Sequence, residues 1–343
     1  MNKLSKTGLV ILFFLNSGFF FAQDAGKYMD VMGREFKKIS EETWDYIGAV
    51  AHGKKARQIE GQRKQMLNAN RSALARIKRM EPFKGDASYR DSVVKYLEMS
   101  YAVLNHDYSK IVDMEEISEQ SYDAMEAYMM AQEIANEKLD QAGDVAYNAQ
   151  KDFAQKNNIT LVEEKTETGE KLDKAGEVFK YYNKIYLVFF KPYKQEAYLV
   201  EAQNKSDINA MKQNQDALAS LAKEAKEKLK TIQQYKNNTS LKSSCNDVLD
   251  FYIFEAETKV PLLIDFYLKK EKFEKLKTAM DTKGKNPSKS EVDEFNKAVG
   301  EYNKASDNFN KINQELNDKR GNALEKWNKS VSKFLDRNVS KKK

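Results

Sequence analysis

The stretch Ile208–Ile232, INAMKQNQDALASLAKEAKEKLKTI, decides the fold class. Ile208, Met211, Gln215, Leu218, Ala222, Ala225, Leu229 and Ile232 follow one another at alternating steps of three and four, without a slip. An α-helix turns once in 3.6 residues, so these steps keep one face free of charge while Lys, Glu and Asp fill the other. Three to four heptads at this spacing also make a left-handed helix–helix seam. The stretch is predicted to be a helix lying along other helices.

Working outward, a shift of 152 residues without gaps lays an earlier stretch on this one. Ile77, Met80, Phe83, Lys84, Asp86, Ser88, Arg90 and Leu97 fall on Leu229, Ile232, Tyr235, Lys236, Asn238, Ser240, Lys242 and Leu249. Tyr46 falls on Tyr198, and the break at 52–54 falls on 204–206. Coinciding stripes and breaks suggest a duplicated helical hairpin unit of about 150 residues. Residues 67–108 and 219–260 share only six identities in 42, which chance similarity between helices also yields.

The rest of the chain keeps the helical period. A first helix over 27–51 carries Met29, Met32, Phe36, Ile39, Thr43, Tyr46 and Val50. His52-Gly53-Lys54 ends it, and a second stripe runs from Ile59 to Met80 until Pro82 stops it. Asp86 or Ser88 caps a third helix. No breaker stands between Gly85 and Gly143, so one long element is expected there, kinked near Asn105. Residues 157–170 lose the stripe and read as a linker with a short extended piece at 159–162. The run Ile185–Phe190 is apolar on all sides and fits a buried strand or helix; its helical flanks favour a helix kinked at Pro192. A further helix starts near Ser240. Asp281–Ser290 is turn-rich, with Ser290 as the cap of a last helix from Glu291.

Composition agrees. The chain has 343 residues, 32% charged and 41% hydrophobic, with 4 Pro and 14 Gly; the mean hydropathy is −0.75. So few turn formers exclude an all-β chain, and the hydropathy excludes a multi-span membrane protein. One Cys and two His leave no disulfide framework and little material for a thiolate or His-based metal centre. Cys245 is expected to be buried and inert.

Residues 1–22 read as a secretory signal. Lys3 and Lys6 precede an apolar run from Leu9 to Phe21, and Ala22 marks the cut. The run is shorter than a spanning helix needs, which implies no transmembrane span after cleavage. No Cys lies near the cut for a lipid anchor. Cleavage takes Lys3 and Lys6 and no acid, so the formal charge falls from +6 to +4. Acids and bases alternate along nearly every helix, the pattern of a solvated face. A nucleic-acid partner is not expected, and the basic tail 339–343 reads as a solvated end.

Motifs for chemistry are sparse. Bundles hold di-iron through Glu-x-x-His pairs, but Ala49 and Val103 stand three residues before His52 and His106. His52 reads first as a helix end; with Trp44, Tyr46 and Lys54 it is also a candidate ligand or partner site. His106 beside Asp107 reads as a surface pair ahead of a general-base pair. Asp113, Glu115, Glu116, Glu119, Asp123 and Glu126 lack the glycine turn of a calcium loop and read as a solvated face. Tyr186 and Phe190 lead an aromatic cluster that reads as core or as a partner surface. No cofactor and no metal site is predicted.

Five stretches resemble a known group: Trp44-Asp45-Tyr46 with Ala51-His52-Gly53-Lys54, Pro82–Asp86, Arg90–Val93, Lys110–Glu116 and Glu119–Asp123. They are similar to a family of exported helical surface proteins and lipoproteins of Gram-negative bacteria with no assigned activity. The resemblance spans roughly 44–126 and implies compartment and fold, without any catalytic residue. Lipoprotein members carry a lipid cysteine that this chain lacks.

The expectation is therefore an all-α, elongated protein with coiled-coil-like packing and two related halves, 27–156 and 171–338. It is expected in the periplasm or at the cell surface, not lipid-anchored. The leading function is non-enzymatic interaction with an envelope protein or cell-wall component, with self-association open to it. The alternatives are a ligand-binding or hydrolytic site near Trp44 and His52, and a holdase-like periplasmic chaperone.

Overall fold

The computed structural model describes residues 20–107, 118–161, 166–284 and 287–339, and over these the protein is all-α with no strand. The helices are α1 (Phe20–Ala51), α2 (Ala56–Lys78), α3 (Ser88–Ala102), α4 (Tyr122–Lys156), α5 (Glu167–Asn204), α6 (Ile208–Thr231), α7 (Ser240–Phe254), α8 (Val260–Lys283) and α9 (Lys289–Asn338). A five-residue π turn follows α3 at Val103–Asp107, and another follows α7 at Glu255–Lys259. No helix among the described residues is long and apolar enough to cross a membrane. The chain divides into two compact units. Unit 1 is Met1–Tyr181 with Leu335–Lys343, and unit 2 is Tyr182–Phe334.

The stripe that opened the sequence reading is buried as its period requires: Met211, Leu218, Ala222, Ala225 and Leu229 all lie inside unit 2. The Ile185–Phe190 run lies within α5 and is helical. In unit 1, Met29, Met32 and Ile39 of α1 meet Ala73 and Ile77 of α2, Val93 and Leu97 of α3, and Phe153 of α4. Rings seal its end: Phe153 lies 5.3 Å from Phe83 and 5.1 Å from Tyr89.

The turns before α3 and α7 share their geometry at an offset of 152. Phe83 and Asp86 exchange backbone hydrogen bonds of 3.1 and 3.0 Å, and Asn238 N–H donates to the Tyr235 carbonyl at 2.8 Å. The central residues are left-handed in both, Lys84 and Gly85 in one and Lys236 and Asn237 in the other, as a type I′ turn demands. Asp86 and Asn238 each accept the N–H of the serine that starts the next helix, Ser88 or Ser240, at 2.9 Å. Arg90 donates to the Met80 carbonyl at 2.7 Å, and Lys242 donates to that of Ile232.

Four expectations need correction. The turn after α1 recurs at an offset of 153, not 152. Lys54 N–H bonds the Ala49 carbonyl as Asp207 N–H bonds that of Ala202, both at 3.0 Å, and Gly53 and Ser206 take the left-handed position. At that offset Tyr46 falls on Leu199, not Tyr198. The cause is one extra residue before α2, Lys55, whereas Asp207 itself caps α6 by accepting Ala210 N–H at 2.9 Å. Second, the region from Gly85 to Gly143 is not one element. Ser121 caps a new helix by accepting Ala124 N–H, and the expected kink at Asn105 is a π turn.

Third, the cap of α9 is Ser288. Its Oγ faces Glu291 N–H at 3.4 Å while Glu291 accepts the Ser288 N–H at 2.8 Å, a capping box that Ser290 is out of register to form. Fourth, the first helix begins at Phe20 rather than 27, so α1 runs across the predicted cut; the rest of the signal, 1–19, lies outside the described residues. So do 162–165 of the predicted linker and 340–343 of the basic tail. Ile159 and Leu161 pack on the core of unit 1.

Candidate functional site

The predicted site residues fall into both units. In unit 1, Trp44 is half-buried on α1, and Tyr46 packs on Met66, Leu67 and Leu104. His52 closes α1 and Lys54 is exposed in the turn beyond it. Trp44 and His52 are eight residues apart, about 12 Å along the axis at 1.5 Å per residue. In unit 2, Phe190 is buried and Tyr186 half-buried, their rings 5.5 Å apart. Phe189 stacks on Trp327 at 4.6 Å in the same core.

His52 was expected to meet the exposed carbonyls of its own helix. Its imidazole instead holds a carboxylate from the far end of the chain: Nδ1 lies 2.8 Å from Asp336 Oδ1. The side chain is 7% exposed. Nε2 is buried with no hydrogen-bond partner among the described residues. A carboxylate on one imidazole nitrogen fixes the ring and its tautomer, which leaves the other nitrogen as the one able to accept or donate.

The other motifs behave as solvated surface where they are described. His106 is exposed on its π turn, and Glu119, Asp123 and Glu126 are exposed. Asp113, Glu115 and Glu116 lie outside the described residues, as does the 110–116 stretch of the resemblance. Cys245 is buried in α7, and burial pushes its thiol up to about 12, so it is not a thiolate at neutral pH. Among the described residues no group of three or more His, Cys, Asp or Glu side chains is placed to hold a metal ion.

Sequence reasoning missed the strongest polar cluster, which lies in unit 2. Arg320 of α9 donates through Nε to Glu196 of α5, and through Nη2 to Glu255 at 2.6 Å. Glu196 is 5% exposed and Glu255 2%. Glu255 is the first residue of the π turn. The guanidinium sits 5.7 Å from the Phe251 ring and gives a third hydrogen bond to Asn317 at 2.8 Å. Burial, and then the charge of Glu196, push Glu255 up to about 7 against the pull of Arg320. Burial likewise raises Glu196. The signal was in the phase: Glu196 falls in the buried stripe Ile185, Phe189, Pro192, Glu196, Leu199, where a charge has no solvent to face.

The surface offers a different feature. Met130, Ile134 and Val145 of α4 are 57%, 47% and 59% exposed. At 3.6 residues per turn they fall within an arc of about 60°. Beside Ile134, Glu133 pairs with Lys180 at 3.9 Å. In unit 2 a groove of about 520 Å³ between α8 and α9 carries Lys259, Lys269 and Lys304 beside Asp265, Glu301 and Glu315. No family model, no curated protein and no solved structure matches the chain.

Proposed function

We propose that this is an exported, non-enzymatic helical protein of a Gram-negative cell envelope, in the periplasm or at the cell surface. Its helix faces bind an envelope protein or a cell-wall component. The observation that carries the reading is the exposure of Met130, Ile134 and Val145 along one side of α4. Three large side chains left in water on one face of a 35-residue helix gain free energy only when something covers them. The leader-like segment 1–22 and the resemblance over 44–126 support that compartment. The matching turns at offsets of 152 and 153 support two copies of one hairpin unit, with repeat 1 over 27–156 and repeat 2 over 171–338.

The test is cross-linking in cells with tagged protein, wild type against Met130→Ser/Ile134→Ser/Val145→Ser. The reading expects one or two envelope partners that the triple variant loses while its helical signal and melting stay unchanged. Capture of the same partners by the variant, or none by an abundant folded wild type, removes the arc as the binding face. N-terminal sequencing of the exported protein should find Gln23 first.

A second reading rests on His52, whose Nε2 is buried with no hydrogen-bond partner among the described residues. It places a ligand contact at that nitrogen, oriented by Asp336. His52→Gln would then abolish ligand binding without a change in stability; a loss of stability alone would mark the pair as structural.

A further inference from the structure

We propose that the buried Glu196–Arg320–Glu255 cluster is a proton-operated latch on the π turn of unit 2, closed when one proton is bound and loosened when it leaves. This inference is independent of the binding reading above.

Two carboxylates, each almost wholly buried, share one guanidinium. With both ionised the cluster carries one uncompensated negative charge out of contact with water, which is costly unless a proton or a partner arrives. Among the described residues no second cation pairs with it. Lys223 of α6 is engaged with Glu257, and Lys259 with Glu315 at 2.7 Å. Lys319 lies over the Phe254 ring at 5.2 Å. The phenol of Tyr252 in α7 feels both carboxylates, and Tyr193 of α5 acts on Tyr252 in turn. Burial, then Glu196 and Glu255, hold Tyr252 well above its ordinary value, so it stays neutral over the whole working range.

Hydrogen-bond accounting points the same way. Glu255 Oε2 and the Tyr252 hydroxyl are buried with no partner among the described residues. A proton on Glu255 removes the surplus charge at the carboxyl that Arg320 does not fully satisfy. Its oxygen Oε1 still accepts from Arg320. The site is thus complete with one proton and overcharged without it.

The backbone supplies the moving part. In the π turn the Val260 N–H reaches back five residues to the Glu255 carbonyl, an arrangement rare in helices and frequent at functional sites. Pro261 follows at once and has no N–H to give. The segment that bears Glu255 is therefore held by fewer regular helix bonds than its flanks. Repulsion at Glu255 is relieved there first.

The sign follows from linkage. A carboxyl raised in the folded state binds its proton more tightly there than in the unfolded chain. The stabilisation is complete below the ordinary glutamate range, near 4.5, and is lost as pH rises through about 7. The latch closes on acidification and opens above neutrality.

The experiment is amide hydrogen exchange on the full chain at pH 5.5, 7.0 and 8.5, corrected for intrinsic rates, with wild type and Glu255→Gln. In wild type, protection over residues 254–262 should fall by at least about tenfold between the ends of the range, the equivalent of one pKa unit. In Glu255→Gln, whose amide has the shape of the protonated acid, it should stay level. Residues 93–97 of α3, which include no histidine and no carboxylate, serve as the internal control and should not respond. A level wild type, or a slope kept by the variant, overturns the latch. Should the variant fail to fold, carboxyl NMR of wild type decides: a Glu255 midpoint near 4.5 overturns the proposal and one near neutrality supports it.

Discussion

Set side by side, the two π turns share a backbone and differ in what they bury. Each follows a fifteen-residue helix, α3 or α7, that begins two residues after a type I′ turn. In unit 1 the buried residues at the turn are Val103 and Leu104; Asn70 Nδ2 donates to Ser100 Oγ at 3.0 Å, and Arg63, paired with Glu60, donates to the Leu104 carbonyl at 3.1 Å, so among the described side chains no buried carboxylate stands on the turn itself. In unit 2 the equivalent positions hold Glu255, Ala256, Ala222 and Tyr252, and the charge of Glu255 is met by Arg320. The lesson is that turn chemistry and apolar phase carry the framework, because they are what the units share. Buried polar content is a separate layer, replaced without changing an element boundary.

The largest effect should come from breaking that layer. Arg320→Met leaves two buried carboxylates without a cation and is expected to cost about 3–5 kcal/mol in urea unfolding monitored by circular dichroism. A loss under 1 kcal/mol would mean that solvent reaches the cluster.

Next comes a paired test of the shared framework. Leu97→Ala and Leu249→Ala remove corresponding, fully buried side chains and should each cost about 2–5 kcal/mol. If one is silent, the two positions are not equivalent and the correspondence fails.

The turns allow a smaller test. Gly85 has φ +83° and open space where a Cβ would go, so Gly85→Ala should cost about 1–2 kcal/mol from backbone conformation alone. Asn237→Gly at the matching site should be neutral or slightly stabilising, read as a shift in melting temperature. The smallest effect is a gain. Lys55 makes no side-chain cap whereas Asp207 caps α6, so Lys55→Asp should add about 0.5–1 kcal/mol. No gain would place the start of α2 elsewhere in solution.

Most of this framework could be read before the structure was known. The 3–4 stripe of Met211, Leu218, Ala222, Ala225 and Leu229 is buried as predicted, and Ser240 starts its helix. Periodicity reports which side of a helix is dry, and that is a local property. It does not report partners across long separations. Arg320 and Glu196 lie 124 residues apart and Arg320 and Glu255 65 apart, and each looks like any other surface charge unless its phase is checked. The same holds for His52 and Asp336, 284 residues apart. The misplaced cap at Ser290 and the one-residue slip at Tyr46 have another origin: boundaries turn on single hydrogen bonds that stripes do not encode.

The pairing of Asp336 with His52 has a consequence for the order of synthesis. Unit 1 begins the chain, yet Leu335 onward belongs to it, and the 153 residues of unit 2, Tyr182–Phe334, come between. At ribosomal rates of roughly 5–20 residues per second, that insertion takes about 8–30 s to emerge. The first half of the chain leaves the ribosome and waits, unfinished, for its closing turn. Its completion is tied to the arrival of Asp336 rather than to its own appearance.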